Sequence, residues 1–191
     1  LMSTLILEYL WLYPRMEVEL ITEGDLIDVI VEGFDAGIRL REAVSPDMIA
    51  IPIIPKIRSV FVASPDYFEG HGIPLHPLDL MKHDCIRARM VSGRYYQWEF
   101  ENQGEELRVD VPGQLVLDES GLMLEAALAG AGPAYLSEFA VEPHLRTGKL
   151  IQVLDEWTPP YDGLCLYYPG RRHVPAKLRA FIELARSYAS S

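Results

Sequence analysis

Residues 18–40 read VELITEGDLIDVIVEGFDAGIRL. The run Val18, Glu19, Leu20, Ile21, Thr22 has the apolar and β-branched content of a strand. Glu23, Gly24 and Asp25 read as a turn. Asp25 stands where an N-cap belongs, and Asp28 follows three residues on, where a carboxylate can reach back to the cap. Residues 26–32 then predict a short helix closed by Gly33, and residues 34–40 a second strand. Strand, helix and strand within about two dozen residues is the spacing of a parallel crossover. The stretch points to an α/β protein with mostly parallel sheets.

The flanking sequence keeps the same alternation. Leu5, Ile6, Tyr9, Leu10 and Leu12 recur at helical spacing, and Pro14 stops them, so residues 3–13 predict an amphipathic helix. Residues 48–54 and 57–63 read as strands, the second nearly all β-branched or aromatic around Arg58 and Ser59. Ser64-Pro65-Asp66 opens a helix with proline at its first position. Residues 84–89 alternate, with Cys85, Arg87 and Arg89 on one face and Ile86 and Ala88 on the other. Residues 95–101 and 106–111 flank the turn Asn102-Gln103-Gly104-Glu105. A strand at 114–117 leads to Asp118, placed to cap a helix over 119–129. Strands at 133–136, 149–154 and 163–168 follow, with a helix after Ser137 and a last one from Pro175. The acids of the central hairpin, Glu99 to Asp110, read as a solvated face.

Composition narrows the function. The 191 residues are 49% apolar and 24% charged, and 17 basic side chains stand against 28 acidic ones for a net charge of −11. A nucleic-acid surface on these residues would need a basic face. Cys85 and Cys165 fit neither a CxxC nor a metal-ligand spacing, so they read as two buried thiols in a reducing, cytoplasmic compartment. No apolar run approaches a membrane span, and the opening residues lack the basic region and cleavage site of a secretory signal.

Enzyme chemistry finds little support. There is no GxSxG elbow and no phosphate-binding P-loop. Gly130-Ala131-Gly132 follows a helix and precedes a strand, the wrong order for a dinucleotide fingerprint, so it reads as a helix end and tight turn. His83, Asp84 and Cys85 are neighbours that alternate across a strand and cannot converge on one metal. No cofactor is called for. What remains is a pair of helix N-termini after strand ends, at Gly24-Asp25 and at Asp118-Glu119-Ser120, the end of an open α/β sheet where ligands bind. Both carry acids of their own, which compete with an anionic ligand and suit a neutral or cationic polar one. An acidic ligand would need Arg39, Arg87 or Arg89 to neutralise it. Arg39 on a strand needs a partner, and Asp35 or Glu42 could supply it as well as a ligand could.

Three stretches carry a family resemblance. The first is Tyr13-Pro14, Val18-Glu19-Leu20 and Val31-Glu32-Gly33-Phe34-Asp35-Ala36-Gly37-Ile38-Arg39. The second is Val62-Ala63-Ser64-Pro65-Asp66-Tyr67, followed by His83-Asp84-Cys85-Ile86. The third runs from Met123 through Leu124-Glu125-Ala126-Ala127-Leu128-Ala129-Gly130-Ala131-Gly132 to Ala134-Tyr135-Leu136, with Tyr167-Tyr168-Pro169 and Arg171-Arg172-His173-Val174-Pro175 near the end. In this order they resemble the effector-binding domain of LysR-type transcriptional regulators over almost the whole chain.

The resemblance implies two Rossmann-like lobes of the type II periplasmic-binding-protein kind. Lobe one would hold 1–63 plus 164–191 and lobe two 64–163, with crossing strands near 60–64 and 164–168. It implies a small-molecule effector held between lobes by Glu23, Gly24 and Arg39 from lobe one. Arg89, Ser92, Asp118, Glu119, Ser120 and Tyr135 would face it from lobe two. It also implies a homodimer or higher homo-oligomer, no membrane, and DNA contacted only through an N-terminal helix-turn-helix domain absent from these residues. The family's first strand of lobe one, which precedes the opening helix, is likewise missing here. Pro133 and Ser137 stand where an aliphatic residue and a proline are commoner, and Pro133 removes a strand donor. The alternatives are a free-standing periplasmic-type solute-binding protein, which needs a secretion signal, and a small enzyme, which needs a convergent catalytic group.

Overall fold

The computed structural model describes residues 2–22, 29, 31–170 and 174–189. In chain order its helices are α1 (Met2–Leu12), α2 (Pro65–His71), α3 (Ser120–Leu128), α4 (Glu138–Arg146) and α5 (Ala176–Ala189). Its strands are β1 (Gly37–Leu40), β2 (Met48–Pro52), β3 (Lys56–Ile57), β4 (Ser59–Ala63), β5 (Arg87–Ala88) and β6 (Trp98–Asn102), then β7 (Glu105–Val109), β8 (Val116–Leu117), β9 (Ala134–Ser137), β10 (Ile151–Val153), β11 (Tyr161–Asp162) and β12 (Leu164–Pro169). Three 3-10 turns cover Arg41–Ala43, Pro77–Lys82 and Asp155–Trp157. The chain forms two compact units, Leu1–Ile57 with Tyr161–Ser191, and Arg58–Pro160.

The first unit is a sheet of order β1-β12-β2 packed with α1 and α5. Leu5 and Tyr9, one helical turn apart on α1, are buried. Leu5 joins Leu178, Ile182 and Ala185, the 3.6-period apolar face of α5, and Tyr9 meets the Phe181 ring edge-on at 5.2 Å. The Tyr9 hydroxyl donates to the Lys177 carbonyl at 2.9 Å, which satisfies the one polar atom that this burial puts at risk. Ile51, Ile53, Leu166 and Tyr168 complete the core from the sheet.

The second unit is organised by β4, whose sequence Ser-Val-Phe-Val-Ala is buried from its second residue onward. β10 and β9 flank it in a sheet of order β10-β4-β9. The period-2 alternation of a strand sends its side chains into two separate cores. Phe61 and Ala63 join Tyr67, Phe68, Leu80, Trp98 and Phe100 on one face, while Val60 and Val62 join Met123, Ala127, Leu136 and Val141 on the other. Cys85 and Ile86 divide between the same two cores. A strand buried on both faces carries an unbroken apolar run, as residues 59–63 do. The β6–β7 hairpin turns on Gln103 (φ 51°) and Gly104 (φ 87°), the left-handed pair that a two-residue hairpin requires.

Parallel sheets were expected, and the ladders are mostly antiparallel. β12 runs antiparallel to β1 and β2, and β4 runs antiparallel to β9 and β10. Only β5 and β8 pair in parallel among the described residues. The reason lies in which strand takes the centre. β1 and β2 do run the same way, as do β9 and β10, but a reversed strand separates each couple. Those reversed strands, β4 and β12, follow closely on the points where the chain enters its second unit and re-enters its first. Alternation of strands and helices shows that same-direction strands exist and does not show which strands touch.

Other expectations shift as well. Residues 18–22 form no regular element and join no ladder among the described residues, and Leu20 and Ile21 are 61% and 47% exposed. β1 begins at Gly37 rather than at residue 34, and the expected strand 57–63 breaks at Arg58. The expected helix 26–32 falls largely outside the described residues, of which Val31 and Glu32 form a turn. The compact units change over a few residues before the expected lobe limits, because β4 packs wholly within the second unit. Ser137 precedes α4 without a side-chain cap bond. Pro133 lies just before β9 and costs its ladder no donor, while its carbonyl accepts from the Ile86 amide at 2.8 Å. Both cysteines are free and buried.

One buried titratable group makes the second unit sensitive to acid. His83 is 6% exposed, with its ring against Tyr67 and Phe68, and its Nδ1 finds no hydrogen-bond partner among the described residues. Burial, reinforced by the neighbouring His71, holds it below its ordinary value of 6.5. The unfolded chain therefore binds this proton more tightly than the folded one. Stability is complete above about pH 6.5 and is lost as the pH falls through that value toward the lower folded-state pKa. Urea unfolding at about pH 7.5 and about pH 5.5 should show that loss, and His83→Asn should shrink it. Equal losses in both chains would mean another group is responsible.

Candidate functional site

The second unit gathers several expected site residues at one end of its parallel strand pair. β5 and β8 lie side by side, with Arg87 opposite Val116 and Ala88 opposite Leu117. Arg89 leaves the end of β5, and its amide donates to the Leu117 carbonyl at 2.7 Å. Ser92 follows on an exposed turn closed by bonds between Met90, Gly93 and Arg94. Asp118, Glu119 and Ser120 leave the end of β8, and Ser120 begins α3. Arg89, Ser92, Asp118, Glu119 and Ser120 are all exposed. Carboxyl ends of neighbouring parallel strands are where open α/β sheets take ligands.

The cap of α3 is Glu119, not Asp118. Its carboxylate accepts from the amides of Gly121 at 2.9 Å and Leu122 at 2.8 Å, and these bonds hold it below the usual carboxylate range. Glutamate at this position reaches its own helix because residue 121 is glycine, where a Cβ would lie 2.9 Å from a Glu119 carboxylate oxygen. The donors that would greet an anion are thus already used by the chain itself. Glu119→Ala should lower Tm by about 3 °C at neutral pH, as loss of a cap does. The depressed pKa places this stabilisation above the ordinary value of 4.5, so the difference between variant and parent should fade as the pH drops below it.

The other basic candidates are engaged within their units. Arg87 bonds to Asp110 at 2.9 Å and lies 4.0 Å from the Tyr95 ring centroid. Arg39, on β1 opposite Cys165, stands 5.5 Å from the Tyr167 ring centroid. Asp35, one of the two acids considered as its partner, bridges to Lys177 at 2.7 Å instead. Tyr135 is a packed ring: half-buried on β9, it stacks on Phe61 at 4.4 Å and on Tyr96 at 6.2 Å. Glu23 and Gly24, with the expected cap Asp25, lie outside the described residues.

Sequence reasoning passed over Arg58, the most heavily bonded polar side chain of the second unit. Its guanidinium reaches Thr158, Asp155 and Glu138. A signal was present: a lone arginine in an apolar strand run must find partners or remain in water. Among the described residues, no three His, Cys, Asp or Glu side chains gather as a metal ion would need, and no helix is long and apolar enough to cross a membrane.

The family model described as the LysR substrate binding domain matches residues 1–190. The chain belongs to that family. It is a family of transcriptional regulators and not of enzymes. YcaN of Escherichia coli K12, described as an uncharacterized HTH-type transcriptional regulator, is 39% identical over 175 residues, covering 92% of this chain and 57% of YcaN. The HTH-type transcriptional regulator PgrR of the same organism is 40% identical over 172 residues, 90% of this chain and 58% of PgrR. This chain therefore spans less than three-fifths of the curated relatives it matches. Among solved structures, the full-length Vibrio cholerae virulence activator AphB matches with a TM-score of 0.85 at 25% identity, covering 98% of this chain and 63% of AphB. CrgA of Neisseria meningitidis, at 24% identity and a TM-score of 0.81, shares the fold over 98% of this chain and 64% of CrgA. The mixed α/β architecture is that of LysR-type regulatory domains.

Proposed function

We propose that this LysR-type effector domain senses a small molecule with residues of two lobes arranged as in type II periplasmic binding proteins, and that binding biases one of two lobe arrangements. The observation that carries the proposal is the meeting of Arg89 with Asp118, Glu119 and Ser120 at the carboxyl ends of β5 and β8. Ser92 and Tyr135 complete the second lobe's share, and Glu23, Gly24 and Arg39 supply the first lobe's. An effector acts here only through unequal affinity for the two arrangements. Because Glu119 already occupies the first amides of α3, the site favours a neutral or cationic polar effector over an anion. The protein works as a cytoplasmic homodimer or higher homo-oligomer, and DNA is contacted by a separate helix-turn-helix domain. The acidic charge of these residues fits that division of labour.

The coding sequence upstream of Leu1 tests this reading. One further strand, a linker helix and a basic helix-turn-helix are expected there. A secretion signal in their place would make the protein a solute-binding protein. Size-exclusion chromatography separates the same alternatives, with a dimer expected for the regulator and a monomer for the solute-binding protein.

A further inference from the structure

The chain passes from its first unit to its second at Ile57–Arg58 and returns at Pro160–Tyr161. Both sides of that double passage are tied. Within the first unit, β3 and β11 pair Ile57 with Tyr161 and Lys56 with Asp162, and Lys56 bridges to Asp162 at 2.6 Å. Within the second unit, Arg58 holds the returning segment. Its Nε donates to the Thr158 carbonyl at 2.5 Å, and its Nη2 donates to the Asp155 carbonyl at 2.8 Å and the Asp155 carboxylate at 2.6 Å. Its Nη1 reaches Glu138 at 3.3 Å, and its own carbonyl accepts from the Glu138 amide at 2.9 Å. The Arg58 side chain is only 18% exposed, so its charge-assisted bonds to Thr158 are partly shielded from water. Between the two ties, the outgoing strand has no spare residue. The returning strand has two, Pro159 and Pro160, each with φ fixed by its ring.

We propose that Arg58 is the positioning residue of this passage: it locks the outgoing and returning strands into one short, stiff ribbon that sets how far the two units can move against each other. The ribbon leaves rotation to a few dihedrals, the ψ of Ile57, the φ of Arg58, the ψ angles of residues 158–160 and the φ of Tyr161. Without the guanidinium, Asp155 and Thr158 lose their side-chain tie to the start of β4, and the returning segment is held only by the packing of Leu154 and Trp157 in the core, which leaves residues 158–160 freer to move against the outgoing strand. This goes beyond effector binding and does not depend on which effector is sensed.

The test reads the distance between units with no effector present. Spin labels are placed at Glu183→Cys on α5 and Glu105→Cys on β7, both exposed, and labelled protein is diluted with unlabelled protein so that only distances within one chain are measured. The native thiols are buried, and burial pushes Cys85 up to about 12, so they stay unlabelled. A single narrow distribution is expected for the parent. Arg58→Ala should widen it by about twofold or more, with unchanged far-UV circular dichroism. Arg58→Lys, which keeps one charge contact but cannot span Thr158 and Asp155 together, should widen it less, and it serves as the test if the alanine variant does not fold. Pro159→Ala with Pro160→Ala should widen it too. A purely stabilising arginine would lower Tm and leave the width as it was. A parental width in the folded Arg58 variants overturns the proposal.

Discussion

Phe61→Ala should destabilise the second unit by about 3–5 kcal/mol, the cost of deleting a buried aromatic ring. Phe61 is fully buried at the centre of β4, directly opposite Tyr135 on β9 and Val153 on β10. Its ring stacks at 4.4 Å on both Phe100 and Tyr135 and tilts against Trp98 at 4.9 Å. Truncation removes the middle of that stack, and the walls around it are held by three ladders and cannot collapse freely. Urea unfolding of the variant measures the loss. A loss under about 1 kcal/mol would mean that the neighbouring rings close the cavity and that the stack is not a rigid centre. The β6–β7 hairpin should loosen with it, because Trp98 and Phe100 attach that hairpin to the core.

Gly132→Ala should be as damaging for a different reason. Gly132 has φ 154°, and a Cβ on it would lie 1.9 Å from the Asp84 carbonyl oxygen, a backbone atom with no rotamer to escape into. The turn before it closes α3 by paired bonds, Gly130 to the Ala127 carbonyl at 3.1 Å and Ala131 to the Ala126 carbonyl at 3.0 Å. Just beyond it Pro133 receives the Ile86 amide. The methyl group must push two backbones apart, at a cost of about 3 kcal/mol. Loss of the cooperative unfolding transition or of soluble expression would agree with this. A variant with parental Tm would show that residues 84–85 and 132 are not in close contact.

These two sites also show what the sequence made legible. Gly130-Ala131-Gly132 could be read as a helix end and turn from its position between an apolar helix and an apolar strand, and it is one. The need for glycine at 132 could not be read, because it comes from Asp84, remote in sequence. The same division runs through the fold. Elements with a strong local pattern stand close to their expected places: α1 stopped by Pro14, α2 opened by Ser64-Pro65, the hairpin at Gln103-Gly104, and β4 as an apolar run. Strand pairing was not legible, since residues 18–22 have a strand's composition but join no ladder among the described residues, while β4 and β12 take the centre of sheets they enter in reverse. At the candidate site, residues 118–120 were visible as a strand end followed by a helix start, whereas Arg89 was placed with them by the family resemblance alone. The capping role of Glu119 was hidden because Asp118 is the better cap by composition, and only Gly121 makes room for the longer side chain. Tyr135 was named for the site by the family resemblance alone, and its ring continues a stack begun by residues from β4 and β6.

On the proposed function, Ser120 and its neighbours contact the effector. Calorimetric titration tests it most directly, with a panel of amino acids, polyamines, sugars and organic acids applied to the parent and to Ser120→Arg. Ser120 is exposed at the first turn of α3, so the arginine fills the proposed site without disturbing a core. A compound that binds the parent and raises its Tm is expected to lose both effects in Ser120→Arg, while the variant unfolds at the parental temperature. A compound that binds both chains with the same affinity would place the effector elsewhere and contradict the assignment.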